Sequence, residues 1–121
     1  NRMDGEITAE ELRELLDSDV DLCIVDIRSP GQFRRGHIPG SENVPFPELT
    51  ARIEEFAERD RVVTVCPHGQ SSVQAARLIA SYEGFDGRVE SLKPGIDGWP
   101  YDLETDAEPT AASADGPDAP F

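Results

Sequence analysis

Residues 61–72 read Arg-Val-Val-Thr-Val-Cys-Pro-His-Gly-Gln-Ser-Ser, a pattern that predicts a buried strand, a short loop and the start of a helix. The apolar run from Val62 to Val65 is typical of a strand covered on both faces. A helix from Ser71 to Tyr82, closed by Gly84, fits the apolar spacing that follows. A strand that leads at once into a helix indicates an α/β unit.

The segments on either side repeat this alternation. The residues 22–25, Leu-Cys-Ile-Val, form a second apolar run, and residues 26–40 predict a long polar connection. We expect, in chain order, a short helix that opens with a capping box at Thr8–Glu11 and ends near Asp17, strands at 22–25 and 41–44, a helix over 47–59, and a strand at 89–92. The pattern predicts an α/β domain with a mainly parallel sheet.

Composition limits both the size and the partners of this chain. Its 121 residues suffice for one domain, and 25 acidic residues against 11 basic ones give a formal charge of −14. This balance argues against nucleic-acid binding through phosphates and against a polybasic membrane anchor. Residues 104–121 contain five acids, three prolines and no base, so we expect a domain over 1–103 and a disordered acidic tail over 104–121.

The cysteine and charge patterns suggest a setting. Cys23 and Cys66 form no disulfide framework, and no apolar run approaches the ~18 residues that span a bilayer, so we expect a cytoplasmic protein. Residues 1–103 alone hold 20 acids and 11 bases, only one of them lysine. Such a surface is similar to that of halophilic proteins, although an acidic protein of ordinary salinity remains the alternative.

Cys66 lies where open α/β folds place their ligands, at the carboxyl end of a strand. A short loop there can turn several backbone N–H groups toward one point, and the following helix adds partial positive charge. These groups would stabilise a thiolate and make Cys66 a nucleophile at neutral pH. Gly69 permits unusual backbone angles, and Ser71 or Ser72 could cap the helix and supply a hydroxyl donor.

Three blocks of sequence resemble the rhodanese-like sulfurtransferases. The first is Asp26-Ile27-Arg28-Ser29 with Gly-His-Ile-Pro-Gly-Ser-Glu-Asn-Val-Pro over 36–45. The second is the loop Cys66-x-x-Gly69-x-x-Ser72, and the third is Leu-Lys-Pro-Gly-Ile-Asp-Gly-Trp over 92–99. The resemblance extends over residues 5 to 103.

This resemblance implies a three-layer α/β/α fold with five mainly parallel strands. Cys66 would be the catalytic residue that accepts a sulfane sulfur, as a persulfide, from a small-molecule or protein-bound donor. The acceptor of the sulfur would be a nucleophile, and a protein is one possible acceptor. The loop residues Pro67, His68, Gly69, Gln70, Ser71 and Ser72 would bind the substrate. Neither a metal nor an organic cofactor is implied, and we expect a monomer.

The sequence leaves open the choice of sulfur donor and two interpretations for each of two side chains. Family members that use thiosulfate often carry basic residues where this chain has Pro67 and Ser71, so we expect thiosulfate to be a poor donor. His68 would either tune the thiolate and contact substrate or point to solvent. Arg28 would either pair with Asp26 inside the fold or contact an anionic substrate.

Other residues and functions have simpler expectations. Cys23 is predicted to be a core residue, and His37 to anchor its loop by hydrogen bonding. The Cys and His spacings match no standard zinc pattern. A phosphatase of similar fold would need an Arg where Ser72 stands. A non-catalytic protein-binding module of the same fold remains the alternative function.

The excess of negative charge makes a prediction about stability. The melting temperature should rise between low and molar KCl, because the Debye length falls from ~10 Å at 0.1 M to ~3 Å at 1 M and screens the self-repulsion. Thermal melts monitored by circular dichroism would measure it. An unchanged or lower midpoint at high salt would remove the argument for salt adaptation.

Overall fold

The sheet of this protein contains five strands, and every pair of neighbouring strands is parallel. The computed structural model describes residues 4–106. The strands are Glu6–Ile7 (β1), Leu22–Asp26 (β2), Glu42–Asn43 (β3), Arg61–Val65 (β4) and Arg88–Leu92 (β5). Their order across the sheet is β1-β5-β4-β2-β3, which places β4 at the centre.

The helices connect these parallel strands. They are Ala9–Leu16 (α1), Pro30–Arg35 (α2), Phe46–Leu49 (α3) and Ser71–Ser81 (α4), with 3-10 helices at Thr50–Phe56 and Ile96–Gly98. The predicted capping box at Thr8 is confirmed, since its hydroxyl accepts from the Glu11 N–H while the Glu11 carboxylate accepts from the Thr8 N–H.

Two separate apolar clusters cover the two faces of the sheet. Along β4, Val62 packs into the cluster beneath α4 and the first 3-10 helix, whereas Val63 and Val65 pack into the cluster beneath α1. This alternation is the one expected for a strand with period-two side chains and no face open to water. The predicted three-layer α/β/α architecture is confirmed.

The structure differs from the expected elements in three places. The connection over 26–40 contains α2, and Phe33 is the one residue of this helix that is buried. The sequence therefore has no periodic apolar stripe that would predict the helix. The helix expected over 47–59 becomes 3-10 after Leu49, and Ile53 and Phe56, three residues apart, pack on one side of its three-residue turns. The strand β1, only two residues long, gives no alternation to detect.

A buried ion pair holds the connection between β2 and β3. The Asp26 carboxylate accepts hydrogen bonds from Arg28 Nε at 2.9 Å and Nη2 at 2.7 Å, and Nη2 also donates to the Gly36 carbonyl. Asn43 donates from its amide to the carbonyls of Asp26 and Arg28. The ion pair that the sequence suggested for Asp26 and Arg28 is therefore present.

His37 anchors its loop by hydrogen bonding, as predicted. Its Nδ1 lies 2.8 Å from the Phe33 carbonyl oxygen, its ring stacks on the Phe33 ring, and its backbone forms an antiparallel bridge with Glu104. The Asp106 N–H donates to the Arg34 carbonyl. Residues 104–106, which the sequence assigns to the tail, are thus bonded to the domain, and the remaining tail residues 107–121 lie outside the described residues.

Within residues 4–106, the helices are too short or too polar to cross a lipid bilayer.

The Asp26–Arg28 pair predicts a large loss of stability on substitution. Asp26→Ala should lower the free energy of unfolding by about 3–5 kcal/mol, because it leaves a buried guanidinium without its carboxylate. Urea denaturation would measure the loss. Asp17→Ala, which breaks the exposed Arg13–Asp17 pair, is the control and should cost far less. Equal losses in the two variants would contradict a special role for the buried pair.

Candidate active site

Cys66 follows β4 directly, and its side chain lies on the α4 face of the sheet. Val62 and Cys66 belong to the same apolar cluster, and the Thr64 hydroxyl between them donates to the Ser72 carbonyl in the first turn of α4 at 2.7 Å. Cys66 is 2% exposed. The thiol at the end of the central strand is therefore buried beside the start of α4.

Hydrogen-bonding groups surround the Cys66 sulfur. The Gly69 N–H donates to Sγ over 3.1 Å, and the Ser72 hydroxyl oxygen lies 3.2 Å from Sγ. That hydroxyl also lies 2.6 Å from the hydroxyl of Ser91 on β5. The thiol can donate to Ser72, and once the proton is lost the Ser72 hydroxyl can donate to the thiolate instead.

These contacts set the acidity of Cys66. Burial, the largest single influence, acts to raise its pKa because it disfavours the charged thiolate. The Ser72 hydroxyl and the backbone N–H groups of Ser72, His68 and Gly69 act in the opposite direction and together prevail. The pKa of Cys66 is therefore lowered, as a nucleophilic thiol requires.

Two glycines fix the loop against the turn that follows β5. Gly69 has a φ of 81°, and a β-carbon there would overlap the Lys93 carbonyl oxygen. Gly95 has a φ of 70°, and a β-carbon there would overlap the Pro67 carbonyl oxygen. Residues 92–99, here called the closing turn, are bonded to the loop as well, because the Ile96 N–H donates to the Cys66 carbonyl.

The other predicted loop residues take different positions. The Pro67 carbonyl accepts from the Asp97 N–H, and the exposed His68 side chain has Nδ1 3.2 Å from an Asp97 carboxylate oxygen. Gln70 is the N-cap of α4 but makes no side-chain cap bond. Ser71 is exposed at the first helical position. The expectation that Ser71 or Ser72 caps the helix is wrong, because the helix begins at Ser71 and both serines lie inside it. The expected hydroxyl near Cys66 is present, and Ser72 supplies it.

Arg28 is not among the side chains gathered at Cys66. Its Nε and Nη2 are bonded to Asp26 and to the Gly36 carbonyl, which favours the ion-pair interpretation over contact with substrate.

Cys23 contrasts with Cys66. It is buried in the core as expected, and burial together with a hydrogen bond to the Glu42 carboxylate raises the pKa of its thiol to about 12.

Ser91 and Asp97 are the site residues that sequence reasoning missed. Ser91 stands at a buried position of β5, between the apolar residues Val89 and Leu92, and a small polar residue inside a buried strand is a signal that could have drawn attention to it. Asp97 is exposed, and only the fold brings it beside His68. Among residues 4–106, no group of three or more His, Cys, Asp or Glu side chains could hold a metal ion.

Comparisons with known proteins agree with this geometry. A family model described as Rhodanese-like domain matches residues 8–101. The YrkF protein of Bacillus subtilis is 34% identical over 94 residues, which are 78% of this chain and 50% of that protein. A thiosulfate sulfurtransferase of Pseudoalteromonas translucida is 36% identical over 77% of this chain and 86% of its own length. The crystal structure of a thiosulfate sulfurtransferase from Pseudomonas aeruginosa matches with a TM-score of 0.74 at 30% identity, over 84% of this chain and 20% of that one.

The hydroxyl beside Cys66 generates a prediction. Ser72→Ala should raise the pKa of Cys66, because the thiolate loses one hydrogen-bond donor and keeps its burial. The ultraviolet absorbance of the thiolate, followed against pH, should then rise at higher pH than in the unchanged protein. Cys23 does not interfere, since its pKa is about 12.

Ser71→Ala is the matched control, because Ser71 is the exposed neighbour and is not among the groups that hydrogen-bond to the Cys66 sulfur. Its titration should overlay that of the unchanged protein. If Ser72→Ala leaves the titration in place, the backbone N–H groups alone stabilise the thiolate.

Proposed function

Since the chain belongs to the rhodanese-like domain family, we propose that it is a sulfurtransferase that carries a sulfane sulfur on Cys66. The observation that supports this most directly is the set of donors around Sγ, in which the Gly69 N–H and the Ser72 hydroxyl lie within 3.2 Å of the sulfur. A buried cysteine with a purely structural role has no need of such donors.

The proposed reaction has two displacement steps. The Cys66 thiolate attacks the sulfane sulfur of the donor. The bond between this sulfur and the rest of the donor molecule breaks, and the rest of the donor leaves with the electron pair. Cys66 then bears a persulfide. A nucleophilic acceptor attacks the outer sulfur, and Cys66 departs as a thiolate, ready for the next cycle.

The loop stabilises negative charge in both steps. Its N–H groups and the Ser72 hydroxyl stabilise negative charge on sulfur, both in the resting thiolate and when the thiolate returns as leaving group. Because these donors are held by the closing turn and by Ser91, they need little rearrangement during the reaction.

The charge around the loop bears on the donor. Relatives named thiosulfate sulfurtransferase make thiosulfate the first donor to test. The loop side chains from Pro67 to Ser72 contain no Arg or Lys, and His68 is paired with Asp97. A dianion therefore lacks fixed cations within the loop itself, and we propose that a donor of low charge or a protein-bound donor is preferred.

The proposal extends to the sulfur acceptor and to the cellular compartment of the protein. We propose a nucleophilic small molecule or protein as acceptor, and the cytoplasm as the location, because a carrier thiol works in a reducing compartment. Cys23 and Cys66 are both free thiols, which is consistent with that setting.

The alternative functions receive less support. A non-catalytic binding module would have no use for a cysteine with a lowered pKa. In a phosphatase of similar fold the sixth residue after the cysteine is an arginine that binds the oxyanion, and here it is Ser72, whose buried hydroxyl already contacts Sγ and Ser91.

Mass spectrometry of the protein after incubation with a sulfane sulfur donor tests the proposal. The unchanged protein should gain one sulfur atom on Cys66 and lose it again when an acceptor such as cyanide is added. Cys66→Ser should gain none and keep its circular dichroism spectrum, because Ser and Cys are similar in size.

Cys23→Ser is the control, and it should still load sulfur on Cys66, with a loss of stability only. If folded Cys23→Ser fails to load sulfur, a mechanism with two cysteines replaces this one. If the unchanged protein gains no sulfur from any donor, the binding-module alternative is favoured.

A further inference from the structure

We propose that Lys93 is a specificity-determining residue, which supplies the positive charge that an anionic sulfur donor meets near Cys66. The inference rests on the proposed function and identifies where a charged donor would be held. Lys93 is the only lysine in the chain, and its side chain is exposed.

The strand register places Lys93 beside Cys66. In the parallel pair of β4 and β5, Thr64 and Ser91 form the last register pair, and Cys66 and Lys93 each lie two residues further along the chain. Side chains two residues apart along a strand leave the same face, and neighbouring strands are about 4.8 Å apart. Ser91 faces Ser72 and the α4 side of the sheet, and Lys93 begins the turn two residues later. This placement favours an approach of the Lys93 side chain to the face of the sheet that carries Cys66.

Packing of the loop brings the Lys93 backbone close to a residue that contacts the Cys66 sulfur. The Gly69 α-carbon lies so close to the Lys93 carbonyl oxygen that a β-carbon would overlap it, and Gly69 is also the residue whose N–H donates to Cys66 Sγ. The Lys93 N–H donates to the Ile7 carbonyl, which fixes its backbone against β1. From this anchored backbone, the flexible four-carbon stem can bring the ammonium group to the mouth of the loop.

Most other cations of the described chain are already paired with carboxylates. Six arginines have a carboxylate oxygen within 4.0 Å: Arg13, Arg28, Arg52, Arg59, Arg61 and Arg88. Lys93 has no such partner among residues 4–106. Arg34 and Arg35 lie on α2, and Arg77 lies on α4, beyond its first turn. Lys93 alone combines an unpaired charge with a place on the closing turn.

The charge would act on the first displacement step. Thiosulfate carries two negative charges, the Cys66 thiolate attacks its sulfane sulfur, the S–S bond of thiosulfate breaks, and sulfite leaves with the electron pair. Three negative charges are present before the step and three after it. A cation beside the loop offsets the repulsion between thiolate and dianion, so its main effect is on donor binding.

Sulfur loading by two donors of different charge tests the proposal. The donors are thiosulfate, a dianion, and benzenethiosulfonate, a monoanion whose S–S bond reacts in the same way and releases a sulfinate. For Lys93→Gln, the KM for thiosulfate should rise about two- to fivefold at low salt, the range of an exposed charge pair, with kcat nearly unchanged. The KM for benzenethiosulfonate should rise less, and the difference for thiosulfate should shrink as KCl is added.

Two further variants distinguish the effect of the charge at position 93 from a change in structure and from a change in the net charge of the protein. Lys93→Arg should keep the KM for thiosulfate near that of the unchanged protein, because the charge remains. Arg77→Gln removes one exposed positive charge from α4 and should leave that KM nearly unchanged.

Three results would overturn the proposal: an unaltered KM for thiosulfate in Lys93→Gln, an equal rise in Arg77→Gln, or a Lys93→Arg variant as impaired as Lys93→Gln. Failure of the unchanged protein to load sulfur from either donor is a separate outcome. It would overturn the proposed function itself, and the role of Lys93 with it.

Discussion

The close approach of two glycine α-carbons to carbonyl groups is the constraint on which the arrangement around Cys66 depends. Gly69 lies against the Lys93 carbonyl and Gly95 against the Pro67 carbonyl, each with a positive φ. Any side chain at either position would force the loop and the closing turn apart. The Gly69 N–H would then move away from the sulfur. A backbone contact between two loops thus maintains the acidity of a thiol.

The parallel sheet supplies the other half of this arrangement. Because β4 lies between β2 and β5, its carboxyl end has a neighbour on each side, and side chains from β5 can contribute to the site. The hydroxyl of Ser91 reaches Ser72, and Ser72 reaches Cys66. The Cys66 thiol is therefore connected through hydrogen bonds to a strand distant in sequence, which links the geometry of the site to the register of the sheet.

Much of this could be predicted from residues near one another in the chain. The apolar runs of β2 and β4, the capping box at Thr8 and the loop after Val65 are local patterns, and each gave the correct element. The missed features depend on contacts across the fold. The helix α2 buries only Phe33, and the 3-10 turns after Leu49 place Ile53 and Phe56 against the apolar cluster beneath α4. Asp97 joins His68 only because the closing turn is folded onto the loop.

The positions of the two cysteines have a consequence for the fate of a bound sulfur. Cys23 is the register partner of Val62, and Cys66 lies four residues further along the neighbouring strand, which corresponds to about 13 Å. Cysteines whose α-carbons are more than about 7 Å apart cannot be bridged without moving the backbone. The thiol of Cys23, held protonated beside Glu42, is thus unable to resolve a persulfide on Cys66 into an internal disulfide. Under the proposed function, a sulfur carried on Cys66 would therefore have to pass to a second molecule.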